Sequence, residues 1–313
     1  MAKYRQNLPQ LSGSLFLTDG GIETTLIFLK GFELPHFAAF ILLETEKGID
    51  ALKEYYQSYI QIALDQGVGF ILESPTWRAN KDWGKKIGYS DEALAEVNQK
   101  AIQLLTDIRK RFENEKTKMV ISCCIGPRGD GYNADFRMSA EEAEKYHTAQ
   151  IKTASRIEAD IVSAFTMTYT EEAIGIVQAA KKMEMPAVIS FTVETDGKLP
   201  SGDTLEDAIE KVDNATDNGP VYYMINCANP AHFMNILCKD RPWIQRIRGI
   251  RANASLKSHK ELDNAAVLDD GNPIELGWQY KILSDMLPNL NILGGCCGTD
   301  SRHIKEICLR FNH

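Results

Sequence analysis

Residues 160–184 read DIVSAFTMTYTEEAIGIVQAAKKME. The opening run, Asp160–Phe165, is apolar without clean alternation, which suits a strand buried on both faces. Thr170-Glu171-Glu172 then has the form of a helix cap with an acidic first turn. The stretch Glu171–Glu184 is amphipathic at helical spacing. Strand, short loop and helix make the unit that, repeated, builds a parallel sheet through right-handed crossovers.

Similar units extend in both directions. Strand-like runs occur at Leu15–Thr18, Val68–Leu72, Met119–Cys124, Ala187–Val193, Tyr222–Asn226, Ile247–Arg251 and Asn291–Leu293. Amphipathic stretches lie between them at Glu46–Gln66, Asp91–Glu115, Ala140–Glu158, Thr204–Val212, Pro230–Leu237, Leu276–Leu287 and Ser301–Phe311. The clearest carries Leu94, Val97, Ala101, Leu104, Leu105, Ile108 and Phe112 at three- and four-residue steps. Ser90 and Ser139, each followed by acidic residues, mark helix starts. Eight strand–helix units in 313 residues predict an α/β fold, a single (β/α)8 TIM barrel forming one domain over residues 1–313. The rival, a doubly wound open sheet, lacks the G-x-G-x-x-G fingerprint after its first strand.

Composition narrows the partners. Lys and Arg number 35 against 43 Asp and Glu, a formal charge of -8, which argues against nucleic acid or an anionic membrane. No apolar run reaches the roughly 18 residues of a spanning helix. The N-terminus MAKYRQNLPQLSGSLFLTDGG does not read as a signal peptide, so the cytoplasm is the expected compartment. Seven cysteines, an odd number with two adjacent pairs, do not suit a secreted disulfide framework.

In such a barrel the chemistry sits where strands end, and the notable residues cluster there. Asp19-Gly20-Gly21 follows the first strand, Glu73 and Trp77 the second, Gly126-Pro127 the third. Thr166 to Tyr169 follow the fourth, Glu194 the fifth, Asn226-Cys227 the sixth, Asn253 the seventh and GGCCG (294–298) the eighth. Three thiols, Cys227, Cys296 and Cys297, therefore fall on one face. Three thiolates with one open position suit a catalytic zinc ion. Neighbouring cysteines can grip one ion only if the backbone leaves strand geometry, and Gly294, Gly295 and Gly298 permit that. A pair of small buried thiols, or a disulfide between neighbours, is the competing reading. Cys123, Cys124, Cys238 and Cys308 read as packing residues, and the histidines show no metal-like spacing.

The motifs TDGG (18–21), IGP (125–127), ISFTVETDGKLPSG (189–202), INC (225–227) and GGCCG (294–298) resemble those of the homocysteine S-methyltransferase family. Its members include betaine–homocysteine and S-methylmethionine–homocysteine methyltransferases, and the resemblance spans nearly the whole chain. It implies a (β/α)8 barrel with Zn2+ held by Cys227, Cys296 and Cys297, and homocysteine sulfur in the fourth place. The expected substrates are homocysteine and a small onium donor: S-methylmethionine, glycine betaine or dimethylsulfoniopropionate. Methionine is the product.

The chemistry is coherent. A thiol with a pKa of about 8.5 is mostly protonated at neutral pH, and zinc deprotonates it. The sulfur then attacks a methyl group whose leaving group departs neutral, and alignment does the rest. An onium head is attracted to aromatic faces, for which Trp77, Trp83, Phe165 and Tyr169 are candidates. The resemblance places Gly20 and Gly21 against the amino-acid end of homocysteine; Asp19 either joins them or caps the turn, and Glu23, one turn further on, is a candidate for the ammonium group. Asn226 is the candidate that orients Cys227. The basic stretch KDWGKK (81–86) reads as a solvated loop that could meet a donor carboxylate. One departure stands out: where many relatives carry a Glu after the fourth strand, this chain has Phe165. Either another acid, such as Glu73 or Glu194, replaces that carboxylate, or the amino-acid acceptor is held differently; a catalytically degenerate zinc and thiol binder acting as a sensor or interaction protein is the competing reading.

Overall fold

The computed structural model describes residues 2–237, 240–263, 265 and 267–311. Its strands are Phe16–Leu17 (β1), Gly69–Glu73 (β2), Met119–Ile125 (β3), Ile161–Met167 (β4), Ala187–Phe191 (β5), Tyr222–Asn226 (β6), Ile247–Ala252 (β7) and Ile292–Gly295 (β8). Each pairs in parallel with the next and β8 returns to β1, closing the barrel. The (β/α)8 expectation is met. Apolar side chains pack on both faces of the sheet. Phe16, Ile71, Val120, Ile161, Val188, Tyr222 and Ile292 fill the barrel, while Phe70, Leu72, Ile121 and Val162 pack outward against the helices.

The crossovers are the helices Glu46–Gln66, Asp91–Phe112, Ala140–Ser155, Thr170–Lys182, Leu205–Thr216 and Pro273–Met286, and Ser301–Phe311 follows the last strand. After β6 the expected helix shrinks to Pro230–Phe233 and a 3-10 turn at Met234–Ile236. The Ser139 cap is a full capping box with Glu142, and Ser90 accepts from the Ala93 amide. Thr170 is not a cap: it is the first helical residue, and Tyr169 precedes it with no side-chain cap bond. Among the described residues, no helix is long and apolar enough to cross a membrane.

The N-terminal segment anchors one end of the barrel. Asp160, at the start of β4, accepts from Arg109 Nη1 at 2.6 Å, the Ile121 amide at 2.9 Å and the Tyr4 amide at 2.7 Å. Arg5 donates to the carbonyls of Ser155, Ile157 and Ala159. Those contacts tie down the N-terminal ends of the strands, which leaves the C-terminal ends free to build a site.

Candidate active site

Strand β7 lies between β6 and β8, and its end holds both cysteine-bearing loops. The Cys227 amide donates to the Arg251 carbonyl at 3.1 Å, and the Cys296 amide to the Ala252 carbonyl at 2.8 Å. The Ala254 amide donates to the Cys297 carbonyl at 3.1 Å. Cys227 itself takes a φ of 56°, the left-handed region that favours glycine. Its carbonyl is held there by Asn253 Nδ2 at 2.9 Å and His259 Nε2 at 2.6 Å. Of the glycines around Cys296 and Cys297, Gly298 has a positive φ, 79°. Gly294 and Gly295 do not; they are glycines because a Cβ would strike Thr18 Oγ1 or Thr299 Oγ1.

The result is a compact sulfur cluster. The Sγ atoms of Cys227, Cys296 and Cys297 lie within 4.8 Å of one another, with Cys297 3.9 Å from Cys227. Cys227 and Cys296 are joined as a disulfide. The bond is between residues 69 apart in sequence, not between neighbours. Tyr132 brings its hydroxyl to 3.5 Å from the Cys297 sulfur and 3.7 Å from that of Cys227, while its ring stacks on His259 with centroids 4.2 Å apart. Once reduced, three soft donors that converge without a carboxylate or imidazole among them fit a zinc ion with an open position.

The cluster opens onto a cavity of about 260 Å³. Its charged lining begins with Asp19, buried and fully engaged: Oδ1 accepts from Arg251 Nη1 at 2.7 Å and Oδ2 from the Tyr55 hydroxyl at 2.7 Å. Burial penalises the Arg251 cation, but Asp19 and then Glu73 outweigh that and hold its pKa above the usual arginine value. Glu73 is 5% exposed, and its Oε2 has no hydrogen-bond partner. Burial pushes its pKa up to about 7, against the opposing pull of Arg251 and the Ser122 hydroxyl. Glu23 lines the same cavity and is pushed up to about 7, again chiefly by its enclosure.

The structure gathers Asp19, Glu23, Glu73, Trp77, Phe165, Asn226 and the three cysteines around this cavity. It does not bring Tyr169 there. That ring is buried in packing, and its hydroxyl accepts from the Met138 amide at 3.0 Å. Gly20 and Gly21 serve close packing: the Gly21 amide donates to the Thr299 carbonyl at 3.0 Å, and a Cβ there would strike Thr24 Oγ1 and the Cys296 carbonyl. The Gly20 carbonyl accepts from Tyr55 and Arg251. Glu194 meets His259 Nδ1 at 3.1 Å and is not part of the lining. Trp83 is covered by the cations of Arg78 and Lys86. Residues 81–86 form a short helix, and Lys81 pairs with Asp91. Cys123 and Cys308 are core residues, whereas Cys124 reaches the cavity floor. Cys238 lies outside the described residues.

Sequence reasoning missed Arg78, Tyr132, Arg251 and His259. An arginine near the end of a strand signals Arg251, but β7 holds two, and which of Arg248 and Arg251 faces the mouth depends on register. Tyr132 and His259 sit in loops whose paths no periodicity encodes.

Comparison with known proteins adds to this geometry. A sequence profile described as homocysteine S-methyltransferase matches residues 16–311. Homocysteine S-methyltransferase 1 of Arabidopsis thaliana is 23% identical, the match covering 96% of this chain and 95% of that protein. Its namesake from Brassica oleracea var. italica is 22% identical over similar shares. Among solved structures, the homocysteine methyltransferase MmuM from Escherichia coli has the same fold. Its oxidized form gives a TM-score of 0.75 and its metallated form 0.74, each at 16% identity and covering 98% of this chain and 100% of that one.

Proposed function

From the premise that this chain belongs to the homocysteine S-methyltransferase family, we propose that it moves a methyl group from a small onium donor to the thiol of homocysteine, using zinc held by Cys227, Cys296 and Cys297. The donors that fit are S-methylmethionine, glycine betaine and dimethylsulfoniopropionate. The single observation that carries this reading is the convergence of three sulfurs at a cavity with buried charged residues in its lining. Bound zinc would supply the positive charge that keeps a substrate thiol deprotonated at neutral pH.

The chain's own residues do the rest. Asn253 and His259 fix the Cys227 carbonyl and so the direction of its sulfur. The Arg251–Asp19 pair locks the ends of β1 and β7 together; Arg251 also donates to the Gly295 carbonyl of β8 at 3.1 Å. Tyr132 offers its hydroxyl to the sulfurs and dampens their charge. Glu73, with an unpartnered buried oxygen, receives the homocysteine ammonium. A carboxylate thus reaches the cavity from β2 although Phe165 has replaced the one expected after β4, so that replacement does not by itself favour a binding-only barrel. Trp77 and Phe165 line the cavity that takes the onium head, although each ring already carries a guanidinium, that of Arg78 and of Arg251 respectively.

The test is a donor panel. Reduced, zinc-loaded protein is incubated with homocysteine and each donor in turn, and methionine is measured by mass spectrometry. Turnover of one onium donor is the expected result; no methionine from any onium donor would contradict the proposal.

A further inference from the structure

Arg78, in the loop after β2, is 5% exposed and lines the same cavity. Its guanidinium centre lies 3.9 Å from the ring centroids of both Trp77 and Trp83. It makes one hydrogen bond, from Nη1 to the Gly129 carbonyl at 3.1 Å, and its buried Nε has no partner. Among the described residues no carboxylate pairs with it, although Asp130 and Glu23 line the same space. A cation withdrawn from water without a paired counter-ion is costly, and Asp130 and Glu23 act on this one only from beyond ion-pair distance. The two indoles fix the plane of the guanidinium, and its Nε, left without a protein partner, belongs to the edge by which an arginine pairs side-on with a carboxylate. Burial lowers the pKa of Arg78 only to about 10, so it stays charged at neutral pH.

We propose that Arg78 is the carboxylate anchor of this site, pairing side-on with the acid group of a substrate, either the methyl donor or homocysteine. The inference rests on the methyl-transfer reading for its choice of ligands. A bare onium facing Arg78 would be repelled, whereas a zwitterion that turns its carboxylate to the guanidinium is attracted. If the donor supplies that acid, the donor class narrows to onium carboxylates.

The experiment compares wild type, Arg78→Gln and Arg78→Lys as reduced, zinc-loaded proteins. Glycine betaine, dimethylsulfoniopropionate and S-methylmethionine are tested against choline and trimethylsulfonium, which lack the acid. Homocysteine is tested against 3-aminopropane-1-thiol. Arg78→Gln should weaken binding of the anchored acid by about ten- to a hundredfold. Arg78→Lys, which keeps the charge without the fork, should weaken it less and covers the case where the glutamine variant fails to fold. The analogues without a carboxylate should be unmoved. A rise in KM confined to the donor assigns its carboxylate to Arg78, and a rise confined to homocysteine assigns that one. Equal losses for acid and acid-free ligands, or no change for either, would overturn the proposal. If no donor is turned over, calorimetric titration with the same pairs still reads the preference for a carboxylate, so failure of the methyl-transfer reading is distinguishable from failure of the anchor.

Discussion

The carboxamide of Asn226 grips Thr166 at two points: its Oδ1 accepts the Thr166 amide at 2.9 Å and its Nδ2 donates to the Thr166 hydroxyl at 2.9 Å. Thr166 has a φ of 63°, strained for a β-branched residue. The residue after Asn226 is Cys227, itself left-handed. One buried amide therefore ties two strained turns, at the ends of β4 and β6, into one unit. Asn226→Ala should release both, lowering zinc affinity about 10- to 100-fold and unfolding stability by about 1–3 kcal/mol. Zinc competition titration and thermal melts of the apo protein measure the two effects separately. Unchanged zinc affinity would show that Asn226 supports only the fold.

Glu73 ties activity to pH. Its folded-state pKa, about 7, lies above its ordinary value of 4.5. Between those values the folded carboxyl keeps a proton that the unfolded chain has lost. Stability contributed by this group therefore falls as pH rises through that window, and the full cost is present above pH 7. Glu73→Gln should remove a cost on the order of 3 kcal/mol above neutrality and flatten the pH dependence of denaturant unfolding, while Glu23 maintains part of the slope. The same variant should raise the KM for homocysteine at least about tenfold, since an amide cannot pair with an ammonium as a carboxylate does. A steeper stability loss with pH in Glu73→Gln than in wild type would contradict the assignment.

The sulfurs of Cys227, Cys296 and Cys297 lie within 4.8 Å of one another, so oxidation of two of them to a disulfide would remove two of the three proposed ligands. Protein oxidised beforehand should take up well under one zinc per chain and carry one fewer pair of titratable thiols. Treatment with a phosphine reductant should restore stoichiometric uptake. Metal analysis beside thiol counting checks this, and equal zinc content with and without reductant would be inconsistent with a three-sulfur site.

At the opposite end of the barrel, Asp160 and Arg109 form a buried ion pair at 2.6 Å that also fastens the Tyr4 and Ile121 amides. Asp160→Asn leaves the buried arginine with only the more distant Glu158, at 3.9 Å, and should cost up to about 3–5 kcal/mol. Per folded molecule, kcat should be unchanged, since the pair lies at the N-terminal ends of the strands. A loss of kcat without loss of stability would place Asp160 in the catalytic machinery instead.

The barrel was legible in the sequence because apolar strand runs and capped amphipathic helices such as Asp91–Phe112 carry their own periodicity. The cysteine cluster was legible because strand ends converge at one face, whatever their separation along the chain. Side-chain direction within loops was not. Tyr169 and Trp77 looked alike on paper, yet one donates its ring to packing and the other to the cavity. The DGG turn reads as a ligand cradle, and the structure adds that its glycines make room for the β8 loop. Arg78 and Arg251 were hidden because buried charge is decided by partners from distant loops, which no local pattern records.

Sulfur-ligated zinc that accepts a substrate thiol is the centre of the proposed chemistry. X-ray absorption at the zinc edge, recorded on reduced wild type with and without homocysteine, addresses this most directly. The expected result is one zinc per chain with three sulfur neighbours from the protein, rising to four when homocysteine is added, and loss of the metal in Cys297→Ala. A shell of nitrogen and oxygen donors, or a sulfur count that homocysteine leaves unchanged, would contradict it.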